Sequence, residues 1–113
     1  MRGNRTWIWC VHGKKNRHKK IAVALAPAGR VALVGSNTRG SELRRVRVGD
    51  PVRRLRGRTH PMGAGLRVGR GGPRSRFVYG VRAGRVRFVA VATRAASKNR
   101  TVLRRYLALA RLR

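Results

Sequence analysis

The chain has 113 residues, enough for one hydrophobic core and too few for two ordinary domains. Thirty Lys and Arg stand against Glu42 and Asp50 alone, a formal net charge of +28, and with Asp50 read as a helix cap this argues against the paired-acid chemistry of glycosidases and two-metal hydrolases. A lone Cys10 excludes an intrachain disulfide, and no stretch approaches the roughly 20 apolar residues of a membrane-spanning helix. Self-repulsion on this scale opposes compaction, so a folded surface of this kind is expected to carry anions or a bound polyanion. Most of the cations are Arg, as a high-GC coding bias would give. Such a bias does not remove carboxylates, and the charge excess is therefore read as functional.

Residues 1–113 are expected to form a single small basic domain. Thr6–His12 is rich in aromatic and β-branched residues and reads as a strand, followed by the basic stretch Gly13–His18. Ile21–Ala26 and Val31–Val34 are apolar runs parted by Pro27-Ala28-Gly29, so the first third predicts a three-stranded antiparallel meander. Continuous apolarity in its second and third strands implies cover on at least one face. Asn37–Arg45 reads as a polar connection and Val46–Val48 as a short extended segment. Asp50-Pro51 predicts a short helix start, with the carboxylate at the N-cap, Val52 and Leu55 facing inward, and an end near Gly57.

Arg58–Ser75 is glycine-rich and reads as an irregular loop with one short strand. Beyond it, Arg76–Arg82 and Arg85–Ala92 flank Ala83-Gly84 as a tight hairpin, with Phe77, Tyr79 and Val81 alternating on one strand and Val86, Phe88 and Ala90 on the next. From about Ser97, Leu103, Tyr106, Leu107 and Ala110 follow the spacing of a buried helical stripe, beside an edge of Arg100, Arg104 and Arg111. The expected fold is α+β: an antiparallel meander plus a C-terminal hairpin, with one short middle helix and one C-terminal helix packed on the sheet.

Several residue patterns bear on chemistry. Cys10 and His12, two apart on a strand, share a face and with His18 or His60 could form a thiol–imidazole pair or a Cys/His metal site. The CxxC and HxxxH spacings of structural metal sites are absent, and a buried core cysteine with surface histidines is the expectation. No P-loop occurs. No metal or cofactor is expected. Gly69-Arg70-Gly71-Gly72, followed by Arg74 and Arg76, has the form of one Arg-Gly-Gly box, a type of segment that grips single-stranded RNA; the other reading is a flexible glycine turn. Lys14, Lys15, Arg17, Lys19 and Lys20 make the densest basic run. They predict either a protruding phosphate-binding loop or a solvated hairpin loop. Trp7 and Trp9 offer a stacking face beside that loop if exposed, and core residues if buried.

The segments Trp9-Cys10-Val11, Arg30–Val34, Val46-Arg47-Val48-Gly49 leading into Leu55, Tyr79–Ala92 and Leu103-Arg104-Arg105-Tyr106-Leu107 resemble an uncharacterised Arg-rich domain of actinobacterial proteins. That domain often lies near the C-terminus of exported proteins. The resemblance covers most of the chain and implies an envelope setting, with no activity attached. Residues 46–92 are also similar to the SmpA/OmlA lipoprotein-like fold, in which a short helix follows a V-x-V-G turn and a hairpin closes on a G-x-V signal. The chain departs from that family in having no lipidated N-terminal cysteine, because Cys10 falls inside a predicted strand. Neither resemblance transfers a site residue.

The leading expectation is a non-enzymatic polyanion-binding domain that engages DNA or RNA through phosphates, with little sequence specificity. Basic segments 14–20, 44–58, 70–76 and 100–111 supply the contacts, with Lys14, Lys15, Arg17, Lys19, Lys20, Arg70, Arg74, Arg76, Arg100, Arg104 and Arg111 as the candidate residues. A second reading is a cell-envelope or extracellular domain that meets anionic polymers, lipid headgroups or an acidic protein. A third is a small metal-independent nuclease in which His12, His18 and His60 move protons beside stabilising cations. The first reading places the protein in the cytoplasm. The second places it in the envelope or outside the cell, with the chain a fragment lacking its targeting segment.

Overall fold

The structure is a computed structural model and describes residues 5–10, 20–25, 30–63, 65–71, 73–110 and 112, with the backbone alone for 5–10 and 20. Strands β1 (Arg5–Cys10), β2 (Lys20–Leu25) and β3 (Val31–Ser36) form the expected antiparallel meander. The chain then leaves the sheet for a small hairpin of β4 (Glu42–Leu43) and β5 (Val46–Arg47), and for a 3-10 turn at Val52–Leu55. It re-enters at the far edge and winds inward through β6 (Thr59–Gly63), β7 (Leu66–Arg70), β8 (Ser75–Arg82) and β9 (Arg85–Thr93), before α1 (Arg100–Leu109). The seven-stranded sheet therefore runs β1-β2-β3-β9-β8-β7-β6: two meanders meet in its middle, where β9 pairs with β3.

Three expectations for the middle of the chain need correction. The middle helix is a single 3-10 turn, and α1 is the one α-helix among the described residues. Asp50 does not cap that turn. The N–H of Val52 is taken by the carbonyl of Gly84 and the N–H of Val86 by the carbonyl of Asp50, so backbone pairing with the β8–β9 hairpin already satisfies this end. The Asp50 carboxylate turns back and accepts from Arg47 N at 2.9 Å, closing the turn after β5. Arg58–Ser75 is largely strand: Thr59 pairs with Gly69 and Leu66 with Gly80. Glycine weakens a strand locally, but pairing with a long neighbour such as β8 overrides that preference.

The β8–β9 hairpin turns at Ala83 and Gly84 with φ of 54° and 76°, the left-handed pair that a two-residue hairpin requires. A bulge between Gly80 and Val81 leaves Arg87 as the extra residue of β9. Strict alternation along β9 therefore fails. Val86 packs in one core and Phe88, two residues on, in the other.

The main core lies between the sheet and α1. Sheet positions in this core mix small residues, among them Ala22, Ala24, Ala90 and Ala92, with Leu33, Leu66, Val68, Val78 and Phe88; Leu103 and Leu107 of α1 pack in the same core. Small residues on the sheet let the helix approach closely. The predicted stripe holds: Leu103, Leu107 and Ala110 are buried and Tyr106 is half-buried against the same core. The helix begins later than the pattern suggested, because Asn99 accepts from Val102 N at 2.9 Å and caps it. Gly80 is required here: a Cβ at that position would collide with the Phe88 ring.

On the opposite face, the β4–β5 hairpin and the 3-10 turn cover Tyr79, Val86 and Val89 to make a second, smaller core with Val46, Val48 and Leu55. That cover stops short of β2 and β3, where Ile21 and Val34 remain 43% and 41% exposed.

Candidate functional site

The edge of the second core opens into a cleft of about 620 Å³. One register row sets its floor. Thr59 pairs with Gly69, Gly69 with Phe77, and Phe77 with Val91, all on the face away from α1. Gly69 contributes no side chain to that row, and a Cβ there would sit 3.2 Å from both the Arg58 carbonyl and Thr59 Cγ2. The missing side chain leaves the Phe77 ring open to the cleft, which Val46, Leu55 and Tyr79 also line.

Arg44, Arg45, Arg58 and Arg70 surround it. Arg44 and Arg45 form the two-residue turn of the β4–β5 hairpin and both lie in the left-handed region, with φ of 56° and 66°. The turn type favours Asn-Gly there, and each non-glycine residue in that region raises the backbone energy by roughly 1–2 kcal/mol. The turn is held from below. Tyr79 donates its hydroxyl to the Leu43 carbonyl at 3.0 Å, and Arg58 donates to the Arg44 carbonyl at 3.1 Å. The Arg44 guanidinium stands over the Phe77 ring, 5.1 Å from its centroid. Burial pushes the Tyr79 phenol above its ordinary value of 10.0, against the opposing pull of the Arg44 and Arg58 cations, so it remains a donor at neutral pH.

Among the described residues no carboxylate lines this cleft. The chain's two acidic side chains are engaged elsewhere: Glu42 accepts from Arg47 Nε at 3.0 Å and lifts the pKa of that guanidinium, while Asp50 accepts from the Arg47 backbone and lies 3.7 Å from Arg54 Nε. A second cavity of about 570 Å³ shares Gly69, Arg70 and Gly71 with the first and continues past His60, Arg76 and Arg94. Arg70, at the end of β7, therefore joins two cation-lined hollows.

The candidate residues divide accordingly. Arg70 and Arg76 come together in the second cavity, although Arg76 also donates to the Ser97 carbonyl at 3.2 Å and so supports the loop before α1. Arg74 is exposed in the β7–β8 turn, on the rim of a separate, mostly apolar hollow beside Tyr106. Arg100 and Arg104 are exposed on α1, and Arg100 reaches across to Gly63. Lys14, Lys15, Arg17 and Lys19, together with Arg111, His12 and His18, lie outside the described residues, and Lys20 opens β2 opposite Cys10. Trp7 and Trp9 are the register partners of Val23 and Ile21. The Arg-Gly-Gly stretch is not a free turn where it is described, since Gly69 and Arg70 belong to β7.

Sequence reasoning marked residues 44–58 as a basic segment without separating Arg44, Arg45 and Arg58 from their neighbours, and it missed Phe77 and Arg94. Phe77 is an ordinary strand residue until Gly69 is known to stand beside it. Among the described residues no group of three His, Cys, Asp or Glu could hold a metal, and no helix is long and apolar enough to cross a membrane. Compared with family models, with curated proteins and with solved structures, the chain matches none.

Proposed function

We propose that this is a nucleic-acid-binding domain that holds phosphates in the paired cavities around Arg70. The observation that carries this reading is the gathering of Arg44, Arg45, Arg58, Arg70, Arg76 and Arg94 around two connected hollows that no carboxylate lines. Guanidinium groups grouped without acidic partners repel one another, and a polyanion relieves that repulsion while meeting their fork geometry. Concave, cation-lined sites suit a flexible phosphate backbone better than a flat lipid surface.

Titrating labelled single-stranded RNA and duplex DNA against the protein at several salt concentrations tests the reading. With about six phosphates neutralised on a duplex, log K should fall with log salt at a slope near −5. A flat salt response, or no binding at low salt, would refute the reading, and a clear preference for a teichoic-acid-like polymer over every nucleic acid would transfer support to the envelope reading. His60 beside Arg70, Arg76 and Arg94 favours a second reading as a metal-independent ribonuclease. Cleavage of RNA in excess chelator, lost in His60→Ala, is the result that would support it.

A further inference from the structure

Phosphate binding alone leaves one feature of the first cleft without a use. An aromatic ring lies half-buried in the floor of an arginine-lined hollow, a guanidinium is held above it, and both residues of the turn that carries this guanidinium occupy strained backbone conformations. Phe77 packs partly against the second core, but phosphate makes no use of the side of the ring that Arg44 covers, and Arg44 could reach a phosphate from an unstrained turn.

We propose that this cleft receives one unpaired base of a single-stranded nucleic acid, stacked against the Arg44 guanidinium over Phe77, while Arg45, Arg58 and Arg70 hold the phosphates on either side. The proposal rests on the nucleic-acid reading and narrows it from polyanion to single strand. Bases stack on guanidinium planes as well as on aromatic rings, and a cation already seated on Phe77 is fixed in place before the base arrives. Pre-organisation of this kind gives strained backbone a purpose, since it spares the ordering of a long side chain on binding.

Cleft volume and composition agree with a nucleotide-sized occupant: about 620 Å³ lined by Val46, Leu55, Phe77 and Tyr79 together with several convergent cations. A duplex presents phosphates but keeps its bases within the stack, so it could reach Phe77 only by flipping a nucleotide out. The sheet beyond the cleft supports the same choice. The row that begins at Thr59, Gly69 and Phe77 continues through Val91 and Val34 to Val23, and the 41% exposure of Val34 leaves an open apolar track for neighbouring bases. Gly69, Arg70 and Gly71 lead the other way into the second cavity, which gives the backbone a continuous cationic path around the end of β7.

The experiment measures binding of the full chain to fluorescein-labelled 12-nucleotide strands by anisotropy. The set comprises oligo-uridylate, oligo-deoxythymidylate, a deoxyribose-phosphate strand of the same length without bases, and a duplex. The base-bearing strands should bind roughly 5- to 150-fold tighter than the abasic strand, the range that one stacked base contributes. Arg44→Lys keeps the charge and removes the planar group. It should abolish most of that difference while leaving the salt slope unchanged, whereas Arg58→Gln should lower the slope by about one. Arg44 is exposed, so Arg44→Lys leaves the buried core intact. Equal affinity for abasic and base-bearing strands, or equal loss of both in Arg44→Lys, overturns the stacking site and leaves phosphate binding standing. Failure to bind any of these strands at low salt overturns both.

Discussion

Leu107 sits on the inner face of α1, 0% exposed, in the core between the helix and the sheet. Replacing it with Ala removes buried carbon atoms and leaves a cavity, and Leu→Ala changes of this type destabilise by about 2–5 kcal/mol depending on how far the surroundings collapse. The side chain is wholly buried, and its core mixes alanines, which have no rotamers, with Leu33, Leu66, Val68, Val78 and Phe88. The expected loss is about 2–5 kcal/mol. For 113 residues the unfolding entropy near the midpoint is about 0.24 kcal/mol/K, so the thermal midpoint should fall by roughly 8–21 °C. Differential scanning calorimetry without ligand measures this directly, with Arg104→Ala on the exposed face of the same helix as the control. A surface change of that kind should move the midpoint by no more than about 2 °C. If Leu107→Ala shifts the midpoint no further than Arg104→Ala does, α1 is not docked on the sheet, and its arginines belong to a basic arm that orders only on a ligand.

The Tyr79 phenol has a raised pKa in the folded state, so folding binds its proton more tightly than the unfolded chain does. The stability from its bond to Leu43 is then fully present below pH about 10 and is lost as pH rises through the folded value. Tyr79→Phe should be less stable than the parent by about 1 kcal/mol at neutral pH, and the two unfolding curves should converge in alkali; a constant gap from neutrality to alkali would refute this account. Arg45→Gly should relieve left-handed strain at the second turn position. It is expected to raise the midpoint by about 2–4 °C, a net gain of roughly 0.5–1 kcal/mol after the extra chain entropy of glycine, while weakening oligonucleotide binding several-fold. A fall in the midpoint would show that the turn is not strained.

Several local signals by themselves determined the elements they mark. Apolar runs punctuated by Pro27-Ala28-Gly29 mark two strands of the first meander, Ala83-Gly84 marks the hairpin turn, and the Leu103, Tyr106, Leu107 and Ala110 stripe marks a docked helix. In each case the signal and the structure depend on residues only a few positions apart. The balance of thirty cations against two carboxylates likewise depends on nothing but composition.

Tertiary structure decided the rest. Residues 59–70 look like a glycine-rich loop because their strand character comes from pairing with β8. The middle helix shrank to one 3-10 turn because the hairpin turn at Gly84 took the N–H that a cap would have served. Val86 and Phe88 part to opposite cores because a bulge adds one residue that no pattern of alternation announces. The cleft depends most of all on tertiary structure. Arg44, Arg58, Arg70 and Phe77 meet only because the β4–β5 hairpin folds over the sheet beside a strand position that has no side chain, Gly69. Thirty cations in a sequence set a strongly positive charge, but which of them converge is fixed by long-range strand pairing, and that pairing leaves no local period to read.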